Sequence, residues 1–163
     1  MARLCGYAPK GQRLVDFIPY GHWQTTTFIG GLTTQGVIAP MVLDGAMNAA
    51  AFTAYIEQVL AKETRPGDLV ILDNLPSHKT AGVRAMFARC GIDYEFLPPY
   101  SPDLNPIENA FSKFKRLVRT AAERTVEGLW NALGRLLDQF RPQECKNYFR
   151  HSGYYATKIR SPL

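Results

Sequence analysis

Apolar and polar positions follow strand periodicity in some parts of the chain and helix periodicity in others. Two runs rich in Thr and β-branched residues, 24–32 and 37–43, are separated by the turn residues 33–36, which predicts a β-hairpin. Residues 48–62 place apolar side chains at the 3.6-residue period of an amphipathic helix, and Arg-Pro-Gly-Asp at 65–68 ends it. We therefore expect a hairpin followed by a helix.

The middle of the chain predicts a pair of parallel strands. Residues 69–72 are all apolar and are bounded by turn residues, which is typical of a strand covered on both faces. Residues 80–90 have helical periodicity, and residues 94–97 predict the next strand. Strand, helix and strand in this order indicate a parallel crossover unit.

The two ends of the chain differ in character. Residues 1–22 are rich in Gly, Pro and basic residues and predict an irregular lead-in, with a short extended piece at 14–18. A long helix is predicted from Asn105 and Pro106 to about residue 122, and a last helix over 126–140. At 163 residues the chain has room for one domain, so we expect an α/β fold in a single domain, 1–163.

Composition narrows the class of protein. Hydrophobic residues make up 46% and charged residues 20%, and the longest apolar runs are much too short to cross a bilayer. No secretory signal pattern opens the chain, so a cytoplasmic protein without membrane contact is expected. Cys5, Cys90 and Cys145 have no metal-ligand or disulfide spacing, and we interpret them as reduced thiols.

The chain is basic, and the excess is concentrated after residue 110. Its net charge is +5, and a one-sided basic surface gains affinity for nucleic acid by releasing counterions. An ordinary solvated helix face explains the same charges equally well. Charge alone therefore leaves both interpretations open.

Two acids occupy positions where chemistry is expected. Asp73 follows the buried strand, and Glu108 lies in the first turn of the long helix, so both carboxylates can converge at one edge of the sheet. Carboxylate oxygens are the ligands that Mg²⁺ prefers, and paired ions support phosphoryl transfer. Structural alternatives exist, because Asn105 and Glu108 fit a capping box and Asp73-Asn74 fits a strand-ending turn.

Two motifs carry a family resemblance. LDNLPSHK at 72–79 and LPPYSPDLNPIEN at 97–109 closely resemble the second and third acidic motifs of mariner-superfamily transposases, specifically the insertion-sequence 630 branch. The 34 residues between Asp73 and Glu108 match the spacing of that superfamily. Stretches 6–11, 21–27 and 41–48 are also similar to that branch, so the resemblance covers nearly the whole chain.

The resemblance implies a ribonuclease H-like fold, a mixed sheet flanked by helices, and metal-dependent DNA strand cleavage and transfer. Asp73 and Glu108 then act as the second and third catalytic acids and as ligands of a two-ion Mg²⁺ or Mn²⁺ site. The partners implied are element-end and target DNA, bound by a homo-oligomer. Site-supporting roles fall to Asn74, His78, Asn105 and Asn109. DNA-binding roles fall to Lys79, Lys113, Lys115, Arg116 and Arg119.

The first acid of the family pattern has no match. It is expected on a central strand upstream of residue 1, between the strands at 24–32 and 69–72, and neither Asp16 nor Asp44 replaces it. We expect the missing strand to lower the stability of the fold, unless another segment takes its place in the sheet. We also expect little catalytic turnover from this chain alone. A non-catalytic nucleic-acid-binding remnant and an inactive fragment remain alternatives. His78 also has an alternative role, capping the helix that follows it.

Overall fold

The first two strands form the predicted hairpin. In the computed structural model, which describes residues 6–15 and 25–154, β1 (Thr26–Thr33) pairs antiparallel with β2 (Gly36–Asp44). At the turn the Thr33 hydroxyl donates to the Gly36 carbonyl at 3.0 Å and accepts from the Gln35 amide at 3.2 Å. The hairpin prediction is confirmed, whereas much of the predicted lead-in and of the extended piece at 14–18 lies outside the described residues.

An irregularity interrupts the hairpin. The register shifts between Ile29 and Gly31, and on the opposite strand Ala39 has a φ of 49°, in the left-handed region. Pro40 follows Ala39 and has no amide hydrogen to give to the ladder, which is why proline within sheets is confined to edges and bulges. Such bulges bend a strand and increase its twist.

The helix predicted over 48–62 is present but not uniform. The Asn48 side chain accepts from the Ala51 amide at 2.9 Å and caps α1 (Ala49–Tyr55). A π-helical segment (Ile56–Leu60) and one further turn, α2 (Ala61–Glu63), continue the same rod. Such wide turns lie often at functional sites, although nothing in the amino-acid pattern predicts this one.

The crossover unit is confirmed. β3 (Leu69–Leu72) runs parallel to β4 (Asp93–Phe96), and α3 (Ala81–Cys90) connects them. The prediction that β3 is covered on both faces is wrong: Leu69 and Ile71 are exposed, while Val70 and Leu72 face the core. An apolar run of four residues cannot distinguish one covered face from two.

The strands form two separate sheets rather than the single mixed sheet expected. Among the described residues, β1 pairs only with β2 and β3 pairs only with β4. β1 and β3 are the strands between which the sequence predicts an additional one.

Three helices complete the described chain. α4 (Pro106–Ala121) and α5 (Val126–Leu137) match the predicted helices, although α5 ends three residues before residue 140. α6 (Pro142–His151) was not predicted from the sequence. It has Pro at its first position, an acidic residue in its first turn and basic residues in its last, which are all helix-end signals.

The hairpin lies between two hydrophobic cores. The first core contains Ala39, Phe52, Tyr55, Ile56, Leu60, Val83, Phe87 and Ile92. The second core contains Ala110, Phe114, Val118, Leu133, Phe140 and Cys145. Neighbouring hairpin residues face opposite ways, with Ile29 against the first core and Phe28 against the second. Helices therefore flank strands on both sides.

Two observations bear on the class of protein. Within residues 6–15 and 25–154, no helix has the length and apolar character needed to span a bilayer. Cys90 is half-buried, Cys145 is buried, and both are free thiols, as predicted. Cys5 lies outside the described residues.

Candidate active site

Asp73 stands at the carboxyl end of the parallel strand pair. The Leu97 amide donates to the Leu72 carbonyl at 2.8 Å, so β3 and β4 end side by side immediately before Asp73. Asp73 Oδ1 accepts from the Leu75 amide at 3.3 Å, which closes the turn that the sequence allowed as an alternative. Oδ2 has no protein hydrogen-bond partner in the described part of the chain, and the side chain is partly exposed to solvent.

His78 lies beside Asp73. Its Nδ1 is 2.7 Å from Asp73 Oδ1, although the pair does not meet hydrogen-bond geometry. The imidazole is only 14% exposed and stacks on the Phe52 ring, with centroids 4.1 Å apart and planes at 25°. His78 does not cap the next helix, because the Thr80 hydroxyl accepts from the Val83 amide and caps α3 instead.

Glu108 is not part of a capping box. The Asn105 side chain makes no cap hydrogen bond, and the Asn105 amide donates to the Pro102 carbonyl at 3.1 Å, so it is not available to Glu108. Glu108 is exposed, and its carboxylate has no hydrogen bond or ion pair with the residues described. The structural alternative for Glu108 is therefore wrong.

The residues predicted to support the site make no side-chain hydrogen bond to the acids. Asn74, Asn105 and Asn109 are half-buried, and no side-chain hydrogen bond joins any of them to Asp73 or Glu108 within the described ranges. Lys79 places its ammonium 5.5 Å from the centre of the Phe96 ring, a cation–π distance, at the end of β4.

The basic residues of α4 separate into two kinds. Lys113 points inward: its ammonium donates to the Gln139 carbonyl at 2.8 Å and to Glu144 at 2.5 Å, and it lies 4.7 Å from the Phe140 ring centre. Its side chain is 17% exposed. Other basic residues of α4 remain at the surface, Lys115 and Arg116 exposed and Arg119 half-buried.

Burial and hydrogen bonding act in opposite directions on the groups around Lys113. Burial disfavours ionisation of Glu144, but hydrogen bonds from Lys113 and Tyr148 outweigh it and hold the Glu144 pKa below its ordinary value. Burial, and then the hydrogen bond to Glu144, raises the pKa of Tyr148. The cluster is thus an internal tie between α4 and α6.

The carboxylate oxygens of Asp73 and Glu108 are the type of ligand that a hard divalent cation prefers, but two carboxylates are few for a metal site. Each of the two acids offers carboxylate oxygen that no described protein group occupies. Hard oxygen donors are the ligands that Mg²⁺ and Mn²⁺ take, with water and phosphate completing the shell. Within the described residues no group of three or more His, Cys, Asp or Glu side chains could hold an ion.

Two contacts near the acids were not foreseen from the sequence. Phe52 was predicted only as part of an apolar helix face, and no sequence signal tells a core aromatic from one that stacks on a site histidine. Tyr154 donates its hydroxyl to the Leu104 carbonyl at 3.0 Å, which connects the segment after α6 to the loop just before Glu108. Burial, and then the nearby Glu95 charge, raises the Tyr154 pKa.

Comparison with solved structures gives the fold. The chain is similar to the mariner Mos1 paired-end complex with Mg, with a TM-score of 0.68 and 22% identity over 92% of this chain and 48% of that one. It also matches the Mos1 transposase paired-end complex with the left transposon end, at a TM-score of 0.49 and 22% identity over 95% and 52% of the two chains. The fold is thus that of the ribonuclease H-like Mos1 catalytic domain, as predicted.

The comparisons also set the extent of the match. The chain spans about half the length of the Mos1 chains in these complexes. It matches the isolated catalytic domain of Mos1 mariner transposase at 19% identity and a TM-score of 0.41, over 82% of each chain. No curated protein matches it in sequence. The insertion-sequence 630 branch is not specified by these matches and stays a prediction.

A family model covers most of the chain. The model described as DDE superfamily endonuclease matches residues 1–130, which include the hairpin, the crossover unit and both candidate acids. The match and the Mos1-like fold agree with the mariner-type resemblance of the two acidic motifs. The chain belongs to the DDE superfamily endonuclease family.

Proposed function

We propose that this chain is the catalytic part of a transposase that cuts and joins DNA strands with divalent metal ions. The observation that carries the proposal is the Glu108 carboxylate, which starts a helix yet caps nothing and pairs with no described residue. An exposed acid without a structural task, separated by 34 residues from another acid at a strand end, fits a ligand role.

Asp73 and Glu108 are the residues that would hold the ions. When bound, Mg²⁺ or Mn²⁺ supplies an activated water and neutralises charge that develops on the transferred phosphoryl group. The protein's part is to present carboxylate oxygens: Asp73 through the oxygen not used in its turn, and Glu108 through its whole carboxylate. Two acids form an incomplete set, so we expect little turnover unless a further ligand joins them.

DNA and a second copy of the protein belong to the same proposal. The Mos1 structure of similar fold is a paired-end complex with Mg, which supports a DNA-bound oligomer. Exposed or half-buried basic residues that follow Asp73 or Glu108 in sequence would contact phosphates, which position a duplex without reading its sequence. The candidates are Lys79, Lys115, Arg116 and Arg119. Lys113 is already engaged within the protein.

The test is a strand-nicking assay with Mg²⁺ or Mn²⁺, using the chain extended upstream in its own reading frame. Asp73→Asn and Glu108→Gln should each reduce nicking by at least about 100-fold, since loss of outer-shell partners alone costs 10–100-fold. The matched controls are Asp93→Asn, an exposed acid at the opposite end of β4, and Glu127→Gln, an exposed acid in the first turn of α5. Unchanged nicking in the two site variants rejects the assignment.

A non-catalytic DNA-binding role is the second candidate. It is favoured by the finding that no described group of three ligands could hold an ion. In that case the chain binds DNA equally well with and without metal, and the affinity falls steeply with salt. Metal-independent binding, combined with no nicking by the extended protein, would support this candidate over the first.

A further inference from the structure

Phe52 links the interior of the first core to the candidate site. It is 2% exposed and lies in α1, where its ring is parallel-stacked with Tyr55 at 6.1 Å on the same helix. The Tyr55 hydroxyl donates to the Ala39 carbonyl at 2.9 Å, so this part of α1 is fixed to β2. The Phe52 ring therefore has a well-defined position from which to contact the loop after β3.

His78 depends on this ring for its orientation. Within the described residues its Nδ1 has no hydrogen-bond partner of good geometry, and its one close polar neighbour is Asp73 Oδ1 at 2.7 Å. The stack on Phe52, with centroids at 4.1 Å and planes at 25°, is what limits rotation of the imidazole. Removing the Phe52 ring frees the imidazole to turn away from the carboxylate.

We propose that Phe52 is a positioning residue for Asp73 and acts through His78. Phe52 sets the plane of the imidazole, whose Nδ1 lies 2.7 Å from Oδ1 of Asp73, and the Leu75 amide donates to the same oxygen. Oδ2 then has no hydrogen-bond partner among the described residues and is left for a cation. The role of Asp73 as a metal ligand rests on the proposed function, but the effect of Phe52 on His78 and Asp73 can be tested without metal or DNA.

A purely structural role for Phe52 is the competing explanation, and the same core provides a matched control. Phe87 is fully buried, belongs to the first core, and stacks on Tyr94 at 4.5 Å with planes at 26°. Phe87→Leu removes a stacked ring of equal size without touching His78. Any effect seen in Phe52→Leu but not in Phe87→Leu is therefore specific to the stack on His78.

The first measurement is the NMR spectrum of the histidine imidazoles of the full chain at one fixed pH. The chain has three histidines, so the His78 signals can be assigned from one His78→Gln variant. Phe52→Leu should move the His78 ring protons downfield, because they lose the ring current of Phe52, and should shift the Asp73 carboxyl carbon. Phe87→Leu should change neither, and Phe52→Tyr, which keeps the ring, should restore both.

The second measurement is the affinity of the same variants for Mn²⁺, determined by titration calorimetry. Phe52→Leu should weaken binding by about 10-fold, the lower end of the range for outer-shell partners, whereas Phe87→Leu should not. Unchanged Asp73 and His78 signals in Phe52→Leu, or equal changes in both variants, overturn the positioning role. If Asp73→Asn leaves Mn²⁺ binding unaltered, the metal proposal fails while the NMR result still decides the role of Phe52. If Phe52→Leu does not fold, Phe52→Met replaces it, because the flexible methionine side chain fills irregular gaps in a core.

Discussion

Replacing Lys113 with Met tests whether this residue holds the protein together or binds DNA. The sequence groups Lys113 with the other basic residues of α4, but its ammonium donates to the Gln139 carbonyl at 2.8 Å and to Glu144 at 2.5 Å. Methionine keeps the aliphatic stem and removes the charge. We expect a loss of stability and no change in the affinity of the folded protein for DNA.

The size of the effect follows from the contacts. A hydrogen bond to a charged group contributes about 1.5–3 kcal/mol, and here one ammonium makes two. Glu144 is 33% exposed, so water and the Tyr148 hydroxyl replace part of what is lost. A net cost of about 2 kcal/mol is reasonable, and for a chain of this length it lowers the melting temperature by about 4–8 °C.

The assay compares Lys113→Met with Lys115→Met, a variant two residues away on the exposed face. Calorimetric melting should show the shift only for Lys113→Met. DNA binding over a range of salt concentrations should show the reverse, with the slope of log affinity against log salt reduced by about one unit for Lys115→Met. A reduced salt slope for Lys113→Met, without loss of stability, would refute the internal-tie interpretation.

Three further predictions concern stability. The pKa of Glu144 is lower in the folded protein than its unfolded value of 4.5, so the ionised carboxylate contributes its full stability above pH 4.5 and loses it as the pH falls through the folded pKa. The stability of Glu144→Gln should therefore decline less than that of the unmodified protein in acid unfolding curves. Gly91→Ala should lower the free energy of urea unfolding by about 1 kcal/mol, because Gly91 has a φ of 65° at the end of α3. Gly134→Ala should raise it by about 0.5–1 kcal/mol, because Gly134 lies within α5 and a Cβ there meets no other atom. Ile71→Thr should change the unfolding free energy by less than about 0.5 kcal/mol, because Ile71 is exposed. Val83→Thr should change it by more than about 1 kcal/mol, because Val83 is buried in α3. Equal losses would contradict the exposure of Ile71.

Local patterns predicted the elements well, because periodicity and end signals are properties of short segments. The hairpin, the crossover unit and the start of α4 at Pro106 all lie where the sequence places them. The exceptions have local reasons. The residues of the π-helical segment Ile56–Leu60 do not differ in type from those of an ordinary α-helix, so the sequence does not reveal it. The helix α6 has too few apolar residues to show a helical period.

What the sequence could not provide is the long-range part of the site. Asp73 and Glu108 were correctly placed at a strand end and in a first helical turn, but the sequence equally allowed a capping box for Glu108. The structure excludes that alternative, because the Asn105 side chain makes no cap hydrogen bond and the Asn105 amide donates to the Pro102 carbonyl. Lys113 shows the opposite case: its pattern on α4 indicated an exposed cation, but its partner Glu144 lies on α6, a helix that was not predicted from the sequence.

The two acids belong to elements that pack in different cores, and this makes the hairpin the part of the fold that relates them. Asp73 extends from β3, which packs against the first core, and Glu108 begins α4, which packs against the second. β1 packs against both cores, because its neighbouring residues point to opposite faces: Ile29 contacts the first core and Phe28 the second. Since well-packed interiors transmit small displacements, a change in the bulge of the hairpin would alter the relative position of the acids without touching either of them. The geometry of the candidate site is therefore a property of the hairpin as much as of the residues that carry the charges.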